Sequence, residues 1–217
     1  MPLQPFIFCT ERRLVALTGL RATNLPELLS ILRDVPGSSI FYHTHHMYLS
    51  HHFERSQFTN DFALWVGEAL QEDALSEKLA ALDLLSFTSI RSLREAIIAV
   101  VENHLNGLPA RQSAFPRGCP AGDEFHFCRS MSFVMSTGSV ARSVPEFFDL
   151  LPHVSNVSLF FHFFEARLRL GRPTNDFSVW LAAAGLPELA ATIDGLNPYD
   201  STLDEFRQRL VALPHAA

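Results

Sequence analysis

The spacing of hydrophobic positions along the chain predicts which elements it forms. Two stretches, FIFCTERRLVALTG (6–19) and FHFCRSMSFVMSTG (125–138), are β-compatible and end in a Thr-Gly turn signal, so each predicts two short strands. Apolar residues then recur three or four positions apart, as on one face of a helix. Helix starts are marked at Asn24-Leu-Pro-Glu27 and Ser143-Val-Pro-Glu146, where a capping residue precedes a glutamate by three positions. The pattern therefore predicts a mainly α protein with short strands at the head of each half.

Further helices follow in both halves. They are predicted at residues 38–53, from Thr59, at 75–83 and from Ser92, and again at 157–170, from Thr174, at 187–194 and from Thr202.

The two halves also match residue by residue. Eleven residues from Phe6 to Val35 are identical to those 119 positions later, and TNDFALW (59–65) returns as TNDFSVW (174–180). We expect an internal duplication in which two copies, 1–105 and 125–217, pack about a pseudo-twofold axis into one compact body. The Pro- and Gly-rich stretch 106–124 is the predicted linker between them.

Charge and composition exclude several functional classes. The 217-residue chain carries a net charge of −6, and its 17 basic residues are scattered, so we expect no nucleic-acid partner. It has neither the opening of a signal peptide nor an apolar run of roughly 18 residues, which predicts a cytoplasmic protein with no membrane partner. Three cysteines without a CxxC pair argue against a disulfide framework and a zinc ribbon.

Histidines are concentrated in SSIFYHTHHMYLSHHF (38–53), which holds five of the ten in the chain. On a predicted helix, His43 and His46 share one face because they are three positions apart. In the second copy His43 aligns with His162 and His46 aligns with Glu165. The repeated feature is therefore His-x-x-His/Glu.

This pattern predicts a metal site. Imidazole and carboxylate groups bind zinc and non-haem iron, and bundle cores hold such ions between facing helices. If the two helices face each other across the interface of the copies, four ligands converge, namely His43, His46, His162 and Glu165. Asp61 and Asp176, in the first turn of helices that Thr59 and Thr174 are predicted to cap, would orient these ligands or join them. The predicted function is a metal-binding protein, with a non-haem iron or zinc enzyme as one form of it and a divalent ion as cofactor.

A second interpretation of the same residues stays open. His43 and His162 would be buried and hydrogen-bonded to a neighbour such as the TNDF aspartate, in a non-catalytic interaction or regulatory module with a buried polar helix interface. The sequence contains no Ser-His-Asp set, phosphate loop or HExxH motif, and it identifies neither a substrate nor a protein partner. Whether the protein is an enzyme is left undecided by its sequence.

Several of these motifs together resemble a known group. The Thr-Gly head stretch, the Pro-Glu helix start, FYHTHHMYL (41–49), NDFALW (60–65) and Asp83 are similar to an uncharacterised domain family of bacteria and archaea. The resemblance is clearest over residues 6–106, and the second copy replaces HTHH by HFFE. It implies no established reaction.

Overall fold

The computed structural model describes residues 3–46, 58–109, 112, 114, 116–197 and 201–213. Its longest extended elements are β1 (Phe6–Ala22) and β2 (Phe125–Ala141), which pair as a two-stranded antiparallel sheet. Each strand has 17 residues. The prediction of a mainly α, pseudo-twofold helical protein with short strands is therefore wrong, because the chain combines helices with two long strands.

The Thr-Gly pairs explain this correction. Gly19 and Gly138 lie inside the strands at positive φ (79° and 84°), which is typical of a β-bulge and not of a chain reversal. The Thr18 hydroxyl accepts a hydrogen bond from the Leu20 N–H (3.1 Å) and donates one to the Phe127 carbonyl (2.7 Å). It thereby holds the bulge against the neighbouring strand. The chain continues through Thr-Gly as one strand instead of turning.

Removing the Thr18 hydroxyl tests the contribution of this bulge. Thr18→Val keeps the β-branched shape but leaves the Leu20 N–H without its acceptor, so the free energy of unfolding should fall by about 1 kcal/mol. Thr18→Ser retains the hydroxyl and should stay much closer to wild type. Urea unfolding measures both, and equal losses in the two variants would contradict the role of the hydroxyl.

The helices are short and mostly begin at a capping side chain. In the first half of the chain they are α1 (Leu25–Asp34), α2 (Gly37–Phe41), a first π turn (Tyr42–His46), α3 (Asp61–Glu68), α4 (Asp73–Ala80) and α5 (Ile90–Asn106). In the second half they are α6 (Val144–Leu150), α7 (Asn156–Phe160), a second π turn (Phe161–Glu165), α8 (Ala166–Leu170), α9 (Asp176–Ala183), α10 (Pro187–Asp194) and α11 (Leu203–Val211). Short 3₁₀ turns occupy Leu84–Ser86 and Leu151–His153.

The predicted helix starts have different outcomes. Asn24 and Ser143 cap α1 and α6, and Thr202 forms a full capping box with Glu205, as their spacing predicts. The predicted box at Ser92 is wrong, because α5 begins earlier, with Ser89 as its cap. The part of the predicted helix 38–53 beyond His46 lies outside the described residues.

The chain forms two compact units whose boundaries fall inside the strands. Unit 1 consists of Met1–Arg13 and Ser132–Ala217, and unit 2 consists of Leu14–Met131. Each unit therefore contains the beginning of one strand together with the end of the other. The division predicted from the sequence at 106–124 stays a prediction, as does the close packing of the two copies.

Aromatic side chains at the beginning of each strand anchor that part of the strand to the helices of its unit. In unit 2, Phe127 is fully buried, and Phe125 stacks on Phe62 of α3 with ring centroids 5.2 Å apart. In unit 1, Phe8 is fully buried and stacks on Phe147 of α6 at 5.5 Å. Each Phe-x-Phe pair is thus held by helices from the other half of the sequence.

Candidate functional site

His43 is a buried polar residue of unit 2. It belongs to the first π turn and is 3% exposed. Its Nε2 accepts a hydrogen bond from the Cys128 N–H (2.9 Å), and its Nδ1 lies 2.8 Å from Asp61 Oδ2. Because Nε2 is an acceptor, the neutral ring carries its proton on Nδ1 and donates it to Asp61. We call His43, Asp61 and Cys128 the first clasp, since the ring joins α3 to β2.

Unit 1 contains the corresponding second clasp, formed by His162, Asp176 and Cys9. His162 is 4% exposed, its Nε2 accepts from the Cys9 N–H (2.7 Å), and its Nδ1 lies 2.7 Å from Asp176 Oδ2. Arg169 donates a further hydrogen bond to the same carboxylate oxygen (2.7 Å). The hydrogen-bonded arrangement that the sequence left open as an alternative is the one observed at both histidines.

Helix capping positions the two aspartates. Asn60 accepts from the Ala63 N–H (2.9 Å), which starts α3 and places Asp61 in its first turn. Asn175 does the same for Asp176 at the start of α9. The preceding threonine was the predicted cap, but its hydroxyl bonds elsewhere: the Thr59 hydroxyl donates to the Ala80 carbonyl.

The predicted pairing of His43 with His46 depended on α-helical geometry. The segment is a π turn, whose i→i+5 hydrogen bonds widen the turn, so residues three apart diverge more than on an α-helix. The His46 ring stacks on Tyr42, with centroids 4.9 Å apart, and the His43 ring meets the same Tyr42 edge-on, also at 4.9 Å. The second π turn, which carries His162 and Glu165, has the same widened geometry.

Glu165 has a partner of a different kind. Its carboxylate forms an ion pair with Arg13, which is also 2.6 Å from Glu11, and these three side chains are buried in unit 1. A carboxylate held by an arginine is engaged in charge compensation, which a buried ionised group requires. Glu165 therefore has a structural role in this network.

The predicted iron or zinc site stays a prediction. Within the described residues, no group of three or more His, Cys, Asp or Glu side chains is placed to hold an ion. Both ring nitrogens of His43 and of His162 already make hydrogen bonds. Coordination by either ring would therefore require the loss of one of these bonds. His51 and His52 lie outside the described residues.

The cysteines of the clasps do not resemble catalytic nucleophiles. Burial raises the pKa of the Cys9 thiol, and the negative charge of Asp176 raises it further. Burial and Asp61 have the same effect on the pKa of Cys128. A nucleophilic cysteine needs a lowered pKa, because the thiolate is the reactive form. In the clasps it is the backbone N–H of each cysteine, and not its thiol, that binds the histidine.

Asp176 makes the stability of unit 1 sensitive to acid. Burial raises the pKa of Asp176, but hydrogen bonds from His162 and Arg169 outweigh it, so the pKa lies below its ordinary 3.8. A carboxyl group with a lowered pKa contributes stability above its unfolded pKa, and this is lost as the pH falls through the folded value. We expect Asp176→Asn to weaken the pH dependence of the unfolding free energy below about pH 4.

Urea unfolding at several acidic pH values measures this effect. Asp149→Asn, at an exposed position of α6, is the control. If Asp176→Asn and the control share the pH dependence of the wild type, Asp176 does not contribute in this way.

Sequence reasoning missed the exposed apolar part of the sheet. Every residue from 132 to 138 is exposed, as are most residues from 14 to 20, and Leu17 is 73% exposed. Nine of the ten exposed large hydrophobic residues that the structure describes lie on the strands: Ile7, Leu14, Val15, Leu17, Leu20, Met131, Phe133, Val134 and Met135. A signal for this surface was present in the sequence. Consecutive apolar residues such as LVAL and FVM predict a strand that is covered on both faces, whereas this chain itself leaves these residues exposed.

Comparisons with known proteins show a shared fold without a function. A family of unknown function, DUF5752, matches residues 3–214. The solved structure of OrfY from Thermoproteus tenax is 28% identical, covers 96% of this chain and 93% of its own, and superimposes with a TM-score of 0.78. No curated protein matches the sequence. None of the described helices is long and apolar enough to cross a membrane.

Proposed function

We propose that this chain, which belongs to DUF5752, a family of unknown function, is a non-catalytic interaction module. Because the family gives no function, the proposal rests on the contacts and exposed residues of the structure. The module binds another protein chain through two parts of the sheet. These are residues 14–20, the exposed β1 segment, and residues 132–138, the exposed β2 segment. The observation that carries the proposal is the concentration of exposed large hydrophobic side chains on the strands.

Such exposure is unfavourable for an isolated chain. Contiguous apolar surface mostly marks an interaction site on a soluble protein, whereas scattered exposed hydrophobic residues need no explanation. Val179 on α9 is of the scattered kind, and it is only 36% exposed. A sheet of two strands is moreover barely stable without a cover on its apolar side chains. Binding of a partner to the segments would supply that cover.

The exposed segments carry only part of the usual protection of a sheet edge. Proteins guard edge strands with charged residues, proline or β-bulges. Residues 14–20 and 132–138 contain no charged residue and no proline, and their bulges lie near the end of each segment, at Gly19 and Gly138. Exposed arginines stand at nearby positions, namely Arg12, Arg21 and Arg129. The uncharged segments are therefore suited to pairing with a strand of another chain. The nearby arginines would restrict this pairing to the uncharged residues.

The clasps support an interaction role more directly than a catalytic one. They use both nitrogens of His43 and His162 for hydrogen bonds, which fix the covered half of each strand to the helices. The raised pKa of each clasp cysteine also disfavours the thiolate, which is the form that a nucleophilic cysteine uses. The clasps thus hold the covered half of each strand to the helices, and the other half is left exposed.

Affinity capture tests the proposal. We expect tagged wild-type protein to retain a defined partner, and Leu17→Glu/Phe133→Glu to retain at least about tenfold less, since burying a charge at the interface is costly. Val179→Glu, also at an exposed hydrophobic residue but on a helix, is the control and should bind as wild type. Equal capture by all three proteins would contradict the proposal.

Metal binding remains a separate prediction with its own test. Elemental analysis of protein purified without a histidine tag would show about one zinc or iron per chain if the four predicted ligands bind an ion. His43→Ala/His162→Ala would then lose it. Metal-free protein that folds normally would leave the interaction module as the remaining function.

The internal duplication predicted from the sequence is supported by paired contacts. Cys9 and Cys128 donate to His162 and His43, and the hydroxyls of Thr18 and Thr137 donate to carbonyls of the neighbouring strand. The donors of each pair are 119 positions apart in the sequence. The duplication itself stays a prediction.

A further inference from the structure

We infer that the exposed β2 segment pairs with the same segment of a second copy of this chain, antiparallel and centred on Val134. This inference rests on the proposed interaction function and names its partner. The resulting contact would join two strands edge to edge, so that the backbones of both copies share hydrogen bonds.

The first step is that the backbone of this segment points polar groups away from β1. The Cys128 N–H is directed outward, since it donates to His43 and not to the neighbouring strand. N–H groups of successive residues in a strand alternate sides, so Val134, six positions further on, also directs its N–H and C=O outward. Among the described residues, no backbone hydrogen bond links residues 132–138 to an element other than β1. This edge is available for another strand.

The second step is the chemistry of the occupant. All seven residues of the segment are exposed and none is charged. An extended, uncharged strand with apolar side chains fits such an edge, because it supplies backbone donors and acceptors without burying an unpaired charge. The chain itself presents a strand of this kind.

The third step is that the segment is complementary to itself. The sequence Ser132-Phe133-Val134-Met135-Ser136 has similar residue types in both directions. Antiparallel pairing about Val134 places Val134 opposite its counterpart, each serine opposite a serine, and Phe133 opposite Met135 of the second copy. Aromatic and thioether side chains attract each other, and serine pairs across strands form hydrogen bonds.

The exposed β1 segment is less suited to the same pairing. It directly follows Arg12 and Arg13, and the bulge at Gly19 interrupts it, so its regular part is short. In β2, the regular exposed stretch reaches from Met131 to the bulge at Gly138. The longer stretch allows about six shared backbone hydrogen bonds around Val134, two for each of three outward-facing pairs.

Analytical ultracentrifugation of the full chain tests the inference. We expect wild-type protein to dimerise with a dissociation constant on the order of micromolar, as for a small interface. Val134→Pro removes the outward N–H without affecting pairing with β1, since proline is tolerated where the N–H faces away from the sheet. It should weaken dimerisation at least about tenfold. Val15→Pro, the matched change at an outward-facing position of β1, should dimerise as wild type.

Two charged variants test the register and do not depend on proline. In Phe133→Glu and in Met135→Lys, like charges of the two copies come close diagonally across the pair, so each variant alone should be monomeric. An equimolar mixture should form a heterodimer, because the introduced glutamate of one variant lies opposite the introduced lysine of the other. Wild-type-like dimers of both single variants, or no association in the mixture, would overturn the register centred on Val134.

Other outcomes reject the second copy without rejecting the interaction function. Wild-type protein that is monomeric at about 100 µM, far above the expected dissociation constant, overturns self-pairing. Self-pairing of β2 is also overturned if Val134→Pro still dimerises and Val15→Pro does not. That result would assign the contact to β1. Capture of a different protein by wild type but not by Leu17→Glu/Phe133→Glu would then keep the proposed function and give it another partner.

Discussion

Phe8→Ala is expected to lower the free energy of unfolding of unit 1 by about 3–5 kcal/mol, as is usual when a buried phenylalanine is truncated. Phe8 is fully buried, and its ring centroid is 4.9 Å from that of Phe6 and 5.5 Å from that of Phe147. The contacts that Phe8 makes hold the beginning of β1 against α6. Truncation leaves a cavity among aromatic rings that can relax only a little. Most of the expected loss in the free energy of unfolding should therefore be measured.

Chemical denaturation followed by circular dichroism measures this loss. Ile7→Ala is the matched control, because Ile7 is adjacent on the same strand but 50% exposed, and it should change the stability by less than about 0.5 kcal/mol. Phe127→Ala should produce a comparable loss in unit 2, where Phe127 is likewise fully buried. A loss below about 1 kcal/mol for Phe8→Ala would show that the Phe-x-Phe pair does not anchor the strand.

His162→Ala should cost about 3 kcal/mol, because it truncates a buried side chain and removes the shared partner of two half-buried groups. The Cys9 N–H loses its acceptor, and Asp176 loses one of its hydrogen bonds while remaining paired with Arg169. His162→Gln offers an amide that donates and accepts, so it should recover part of the loss. His126→Ala, at an exposed position of β2, is the control and should leave the stability nearly unchanged.

A double-mutant cycle separates the hydrogen bond from other effects of the substitution. His162→Ala and Asp176→Ala should be less than additive, with a coupling energy of about 1–2 kcal/mol, because both remove the same contact. The cycle with His43 and Asp61 should give coupling of the same sign. Strict additivity in both cycles would contradict the view that each histidine and aspartate act as a unit.

Local signals predicted several features of this fold. The caps of α1 and α6 and the capping box of α11 lie where the spacing of Asn24, Ser143 and Thr202 placed them. Capping depends on residues within one turn, so the sequence is sufficient to predict it. The β character of the two Phe-x-Phe-Cys stretches was also predicted correctly, although their length was not.

The histidines show where such reasoning stops. Sequence spacing paired His43 with His46 on an α-helix, whereas the segment is a π turn, and their shared role as ligands stays a prediction. The observed partners of His43 are Asp61, 18 positions away, and Cys128, 85 positions away. Pairing across such distances follows from how helices and strands pack, which no local pattern contains. The sequence could only offer the TNDF aspartate as one of several possible partners.

The sequence by itself thus determined the caps of α1, α6 and α11, the β character of the two heads and the correspondence of His43 with His162. Only the tertiary structure decided that each strand passes from one compact unit into the other and that both nitrogens of each clasp histidine are engaged. It also decided that apolar residues such as Leu17 and Phe133 are exposed. The physical reason is that hydrophobicity sets the tendency of a side chain to leave water, whereas the packing of distant segments determines which side chains are covered.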